Sequence, residues 1–221
     1  MLNSDTNSRA VIFANGEPED REAVRALLRP ADRLIAADGG ARHCLALGLT
    51  PHHVVGDLDS LTPAEVAALR QAGVRLHPHP AAKDETDLEL ALSLAVETGA
   101  ADILVLGALG GRLDMLLANV LLLAHPALAA ARVTLWSARQ TTWLIRPPGA
   151  DIPGRPGDTL SLIPLAGAAH GVVTHGLVYP LRRETLTSGP ARGVSNVLTG
   201  EPARVELETG LLWATLTSGR A

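Results

Sequence analysis

Aspartates at loop-like positions carry the strongest chemical signal in this chain: Asp38, Asp57, Asp59, Asp84, Asp87 and Asp114. Their contexts are AADGG (36–40), VVGDLDSL (54–61), AKDETDLELAL (82–92) and GALGGRLDMLLAN (107–119), each an apolar run or turn, then glycine or aspartate, then a helical pattern. Carboxylates grouped in this way suit Mg²⁺, a hard cation that takes oxygen ligands and shares them with substrate phosphates. Asp57 and Asp59 are separated by one residue, so both side chains can point to one side and share an ion. Helix capping is the competing reading for any one of these residues, above all Asp59-Ser60. As a set, the four motifs favour a metal and polyphosphate site.

Other residues sharpen that chemistry or narrow it. Asp87 lies three residues beyond Asp84 with Thr86 between them, combining a cap, an acidic first turn and a candidate metal ligand. Lys83 beside them is a candidate phosphate contact, with a solvated lysine as the alternative. The glycines of ADGG and LGGR allow backbone N–H groups to approach a phosphate closely, and the helix starts that follow favour negative charge. No GxxxxGK[ST] or GxGxxG occurs, so a nucleotide must be held in another way. No GxSxG occurs either, and the eight histidines sit in no triad-like context. His77-Pro-His79 reads as a solvated pair before a metal site.

The elements that position these residues alternate. Strand-like runs at 10–14, 33–37, 53–56, 74–77, 102–107 and 133–137 are separated by helical patterns. Pro18–Leu28 predicts a first helix, Thr62-Pro63 with Glu65 a capped second, and Thr86–Thr98 another with Leu88, Leu92 and Val96 on one face. This order predicts a parallel sheet covered by helices, whose ligands sit at the carboxyl ends of the strands, where the acidic motifs fall. From about 147 the pattern changes. RPPGADIPGRPGD (146–158) reads as a linker loop. Short β-like pieces follow at 159–164, 171–178, 203–208 and 211–216, with Glu208-Thr209-Gly210 reading as a hairpin turn that pairs the last two. The pattern therefore predicts an N-terminal parallel-sheet α/β domain over 1–147 and a small antiparallel sandwich or barrel over 148–221.

Composition excludes several classes. The chain has 221 residues, 47% of them hydrophobic, enough for a real core. Net charge is −4 and no basic run is present, so nucleic acid is not an expected partner. The single cysteine, Cys44, excludes an internal disulfide, fits a reducing compartment and reads as a small apolar helix residue. The polar start MLNSDTNSRAVIFANG does not resemble a signal peptide, and LDMLLANVLLLAHPALAAA is too broken to span a bilayer, so a cytoplasmic protein without membrane attachment is expected. The few aromatics, Trp136, Trp143, Tyr179 and Trp213 among them, read as core.

The ordered series ADGGA (37–41), GDLDS (56–60), KDETDLELAL (83–92), GGRLDMLLAN (110–119) and GVSN (193–196) resembles the thiamine pyrophosphokinase family over nearly the whole chain. The resemblance implies an N-terminal α/β domain, a C-terminal β-sandwich domain and a homodimer, with ATP and thiamine as substrates and transfer of pyrophosphate to give AMP and thiamine diphosphate. It implies Asp57, Asp59 and Asp87 as magnesium ligands and Asp114 as a further acidic catalytic residue. It further implies Ser195, with Asn196 beside it, at thiamine, Arg112 near the phosphates, and Asp38, Gly39 and Gly40 bordering the nucleotide. The chain departs from the family in having Met115 where His or Gln is common, and Val197 and Leu198 where an aromatic residue often follows the SN pair. The chemistry needs in-line attack by a hydroxyl, charge neutralisation and water exclusion, and no protein nucleophile. Asp87 or Asp114 could accept the hydroxyl proton. A metal-dependent phosphodiester enzyme would share the acidic cluster but would need a basic track, and a silent nucleotide-binding scaffold would have lost one of the motifs.

Overall fold

The structure, a computed structural model, describes residues 9–17, 19–200 and 202–219. The chain divides into two compact units, Met1–Ala138 and Arg139–Ala221. In the first unit the strands are β1 (Arg9–Phe13), β2 (Arg33–Ala37), β3 (His53–Gly56), β4 (Arg75–Pro78), β5 (Asp102–Leu106) and β6 (Arg132–Trp136). The helices are α1 (Arg21–Leu27), α2 (Gly40–Ala46), α3 (Pro63–Gln71), α4 (Asp87–Glu97) and α5 (Leu113–Leu122). The strands pair in parallel in the order β6-β5-β1-β2-β3-β4. The chain therefore reverses direction across the sheet between β1 and β5, where an open α/β sheet leaves a crevice at its carboxyl edge.

The central strands are apolar runs buried on both faces, as a covered parallel sheet requires: Ala10, Val11, Ile12, Ile35, Ala36, Val54 and Ile103 are fully enclosed. Cys44 lies in this core, its thiol pushed up by burial, which agrees with its reading as a packing residue. Helix starts follow local signals. Thr62 accepts from the Glu65 N–H while Glu65 returns a bond to the Thr62 N–H, a complete capping box with Pro63 in the first turn. Thr86 caps α4 through the Glu89 N–H. The first helix begins at Arg21, capped by the Asp20 carboxylate on the Ala23 N–H. Pro18, the expected start, lies outside the described residues.

The second unit is a sandwich with one core. One sheet has the order β12 (Asn196–Val197), β9 (Thr159–Pro164), β14 (Leu212–Thr217), β7 (Gln140–Ile145), and the other β11 (Arg182–Leu186), β10 (Ala169–His175), β13 (Ala203–Glu206), β8 (Gly149–Ile152). Alternate residues of both sheets, including Ile145, Leu160, Val172, Val205 and Leu212, share the buried core. Three expectations change here. The division falls after Ala138 where 147 was expected, because β7 pairs along its whole length with β14. The supposed linker 146–158 contains β8, which pairs with β13. Residues 203–217 are no hairpin: β13 lies between β10 and β8, while β14 lies between β9 and β7. Alternation shows only that each strand has one buried face. It does not distinguish a partner across a turn from a partner in the opposite sheet.

No helix among the described residues is long and apolar enough to cross a membrane.

Candidate active site

The acidic motifs converge at the carboxyl edge of the first unit. Asp38 directly follows β2 with φ 44°, a left-handed conformation, and its N–H donates to the Val55 carbonyl of β3 at 2.8 Å. Leu58, between the two aspartates of GDLDS, also has a positive φ of 63°, which folds the loop so that the Asp59 N–H reaches Asp57 Oδ1 at 3.1 Å. These two turned backbones bring one carboxylate oxygen from each of Asp38, Asp57 and Asp59 within 4.8 Å of one another. Asp38 is only 3% exposed, and its Oδ1 has no hydrogen-bond partner among the described residues. A buried carboxylate oxygen left without a donor is costly unless something absent from the chain satisfies it. Asp59 titrates higher than an ordinary aspartate, chiefly because the Asp57 charge lies beside it. Three converging carboxylates, one of them orphaned, fit a hard divalent cation held by oxygen ligands.

Asp87 closes the cluster from the other side. It opens α4, and a Cβ at Gly56 would lie 3.0 Å from both the Asp38 Cβ and the Asp87 Cγ. Glycine at the end of β3 therefore makes room for both carboxylates. Lys83 Nζ lies 3.0 Å from Asp87 Oδ1 and 4.0 Å from Asp57, and chiefly its bond to Asp87 holds its ammonium above the usual lysine range. Of the expected metal set Asp57, Asp59 and Asp87, the structure gathers the first two with Asp38, while Asp87 carries the lysine. Neither Asp57 nor Asp59 caps α3, since Thr62 does so. Asp84 is exposed and stands outside the group.

Beside the carboxylates is a cleft of about 630 Å³, lined by Asn15, Ala37, Thr86, Asp87, Gly110 and Arg112 among others. It lies where β1 and β5 part. Gly110 and Gly111 have φ of 98° and 67° and lead into α5. Arg112 grips Asp114 at 3.1 and 2.6 Å, and that contact holds the Asp114 carboxyl below the usual range. Both are largely exposed, at 76% and 65% of their side chains, so a phosphate can compete for the guanidinium. Asp114 is not among the three carboxylates that come together. The ADGG glycines serve packing: a Cβ on Gly40 would lie 1.9 Å from the Phe13 carbonyl oxygen, and one on Gly39 2.4 Å from the Asn15 side chain. His77 faces His53 at 2.9 Å on neighbouring strands, and burial lowers both histidines' pKa values, His53 to about 4.

In the second unit Ser195 is exposed with φ 58°, its N–H held by Ser161 Oγ at 3.1 Å. A non-glycine residue in this conformation is retained where the surroundings hold it there, as at many ligand sites. Asn196 is 8% exposed and has both ends of its amide on the backbone of Tyr179, so it does not face solvent as a substrate ligand would. Tyr179 corrects its reading as core: it is 63% exposed. The sequence carries no local mark of this, because a tyrosine after an apolar run has the same appearance on either side of a sheet.

Residues 24–135 match the thiamin pyrophosphokinase catalytic domain, and residues 150–212 the vitamin B1 binding domain of the same family. The chain is 31% identical over 179 residues to a thiamine pyrophosphokinase from Bacillus subtilis (strain 168), covering 80% of this chain and 84% of that protein. Crystal structures of thiamine pyrophosphokinase from Bacillus subtilis and of a thiamin pyrophosphokinase family protein from Enterococcus faecalis superpose with TM-scores of 0.84 and 0.82. Each is 26% identical, and the match covers 96% of this chain and 99% and 100% of theirs. Sequence and fold thus agree: the chain belongs to the thiamin pyrophosphokinase family, enzymes that move pyrophosphate from ATP to thiamine.

Proposed function

We propose that the transfer takes place at the carboxyl edge of the first unit, with the polyphosphate of ATP in the cleft beside Asp38, Asp57 and Asp59. The observation that carries this reading is the convergence of three carboxylates around a buried, unpartnered Asp38 oxygen. Asp38, Asp57 and Asp59 would hold Mg²⁺, which when bound neutralises phosphate charge and orients the transferred group. Asp87 completes the acidic wall. Lys83 moves its charge from Asp87 toward a phosphate when one arrives, and Arg112 exchanges Asp114 for phosphate oxygens. Both substitutions keep positive charge where negative charge develops, in a site already shaped for it. Once Lys83 turns to phosphate, Asp87 is the carboxylate placed to take the proton of the attacking hydroxyl. Asp114 is the less well placed base, because it stands outside the converging carboxylates and its side chain is largely exposed.

Ser195 binds thiamine from the second unit in this reading, and the working form is a cytoplasmic homodimer in which each copy presents Ser195 to the acidic cluster of its partner. Two-fold symmetry then gives two equivalent sites, and light scattering should read two chains per particle. A monomer at working concentration contradicts that part. For the reaction itself, AMP release from Mg-ATP should require the acceptor hydroxyl. Thiamine supports it; an analogue in which hydrogen replaces that hydroxyl does not. Equal AMP release with both compounds would mean that water, and not thiamine, is the acceptor.

A further inference from the structure

The amino ends of the strands in the first unit border a cavity that the transfer site does not use. It has a volume of about 430 Å³ and lies where β2, β3 and β4 begin, lined by Arg33, His52, His53 and Arg75, with Pro51 and Ala72 among its apolar walls. Among the described residues, no carboxylate lines it. β3 runs from His53 at this end to Gly56 at the other, where Asp57 follows, so roughly 10 Å of strand at about 3.3 Å per residue separates the cavity from the acidic cluster.

The surrounding backbone sets these side chains. His52 Nδ1 accepts the Leu34 N–H at 2.9 Å, which leaves the proton of the neutral ring on Nε2. His53 is 6% exposed and meets His77 at 2.9 Å. Arg33 donates one N–H to the Thr98 carbonyl at 2.6 Å, which fixes the guanidinium and leaves it further donors. Arg75 is exposed and makes no ion pair among the described residues. The end of α3 does not call for it, since the Ala68, Leu69 and Arg70 carbonyls already accept the Ala72, Val74 and Gly73 N–H groups. Positive charge therefore gathers in a concave space with no lining carboxylate to balance it. His53 registers that field: after burial and His77, the charges of Arg75, Arg33 and His52 push its imidazole toward the neutral form.

We propose that this cavity binds the phosphate group of a small organic phosphate ester, with Arg33 and Arg75 on the phosphate oxygens and His52 Nε2–H as a further donor. Guanidinium forks match phosphate oxygens in pairs, which an ammonium does not. The volume lies within the roughly 300–1,000 Å³ of small-molecule pockets, so the carbon skeleton of the ester rests on Pro51 and Ala72. This second site is independent of the residue roles assigned at the carboxyl edge.

The test is a titration of the whole chain with ribose 5-phosphate and, separately, with inorganic phosphate at constant ionic strength, followed by the imidazole resonances of His52 and His53 in two-dimensional NMR. Both resonances should shift and saturate, at lower concentrations of the sugar phosphate than of the free ion. Arg75→Gln should weaken that binding at least about tenfold, the scale of one hydrogen bond to a charged group, with the melting curve unchanged. Arg75→Lys keeps the charge without the fork and should fall between the two. Lys83→Gln, at the carboxyl edge, should leave the His52 and His53 shifts in place. No saturation with either compound, or saturation unaltered in Arg75→Gln, overturns the site. Equal affinity for the two compounds overturns the ester as its ligand and leaves free phosphate in its place.

Discussion

Asp57→Asn and Asp59→Asn should each cut turnover by at least about a hundredfold, the scale on which losing one preorganised charge-stabilising group acts, with the melting curve intact. Both residues lie in the loop after β3 and neither caps α3, so the fold does not depend on their charge. The cluster is self-repelling: Asp57 is the main reason that Asp59 holds its proton more tightly than usual. Removing one of the charges relieves that repulsion, so the variants should melt no lower than the parent chain. Capping as the role of either residue gives the opposite pair of results, about 1 kcal/mol of lost stability and retained turnover. Magnesium titrated into the substrate-free protein adds a separate readout. Its binding should weaken in both variants, and unaltered binding with lost turnover would remove the cluster from the role of metal site.

The carboxylate site was legible in the sequence to the extent that its geometry is local. GDLDS announces two aspartates on one turn, and KDETD announces a capped helix with Asp87 in its first turn, because spacing and capping act over three or four residues. Asp38 as the third member of the cluster is different. Its place depends on the left-handed turn after β2 and on β2 lying beside β3, so ADGG suggests a nucleotide border and not a carboxylate that meets Asp57 and Asp59. The same limit applies to the second unit. Its strands at 159–164 and 203–206 follow from alternation, but the exchange of sheets between β13 and β14, the pairing of β8, and the exposure of Tyr179 depend on partners distant in the chain.

Gly40→Ala separates packing from phosphate binding in the ADGG motif. The new Cβ would lie 1.9 Å from the Phe13 carbonyl oxygen, a backbone atom of the central strand β1 that no rotamer change can move aside. Either α2 lifts from the sheet or β1 shifts. Overpacking of this kind costs about 3 kcal/mol, which for a protein of this size lowers the melting temperature by roughly 6 to 12 °C. If Gly40→Ala keeps its melting temperature and only raises the ATP KM, the glycine serves the phosphate and not the contact with β1.

The most direct measurement is the product ratio from Mg-ATP and thiamine, followed by phosphorus NMR as the reaction proceeds. Transfer of the β- and γ-phosphates as one unit predicts AMP and thiamine diphosphate growing in equal amounts, with no ADP and no thiamine monophosphate, and neither product appearing with Asp59→Asn. ADP with thiamine monophosphate would show single phosphoryl transfer and contradict the account.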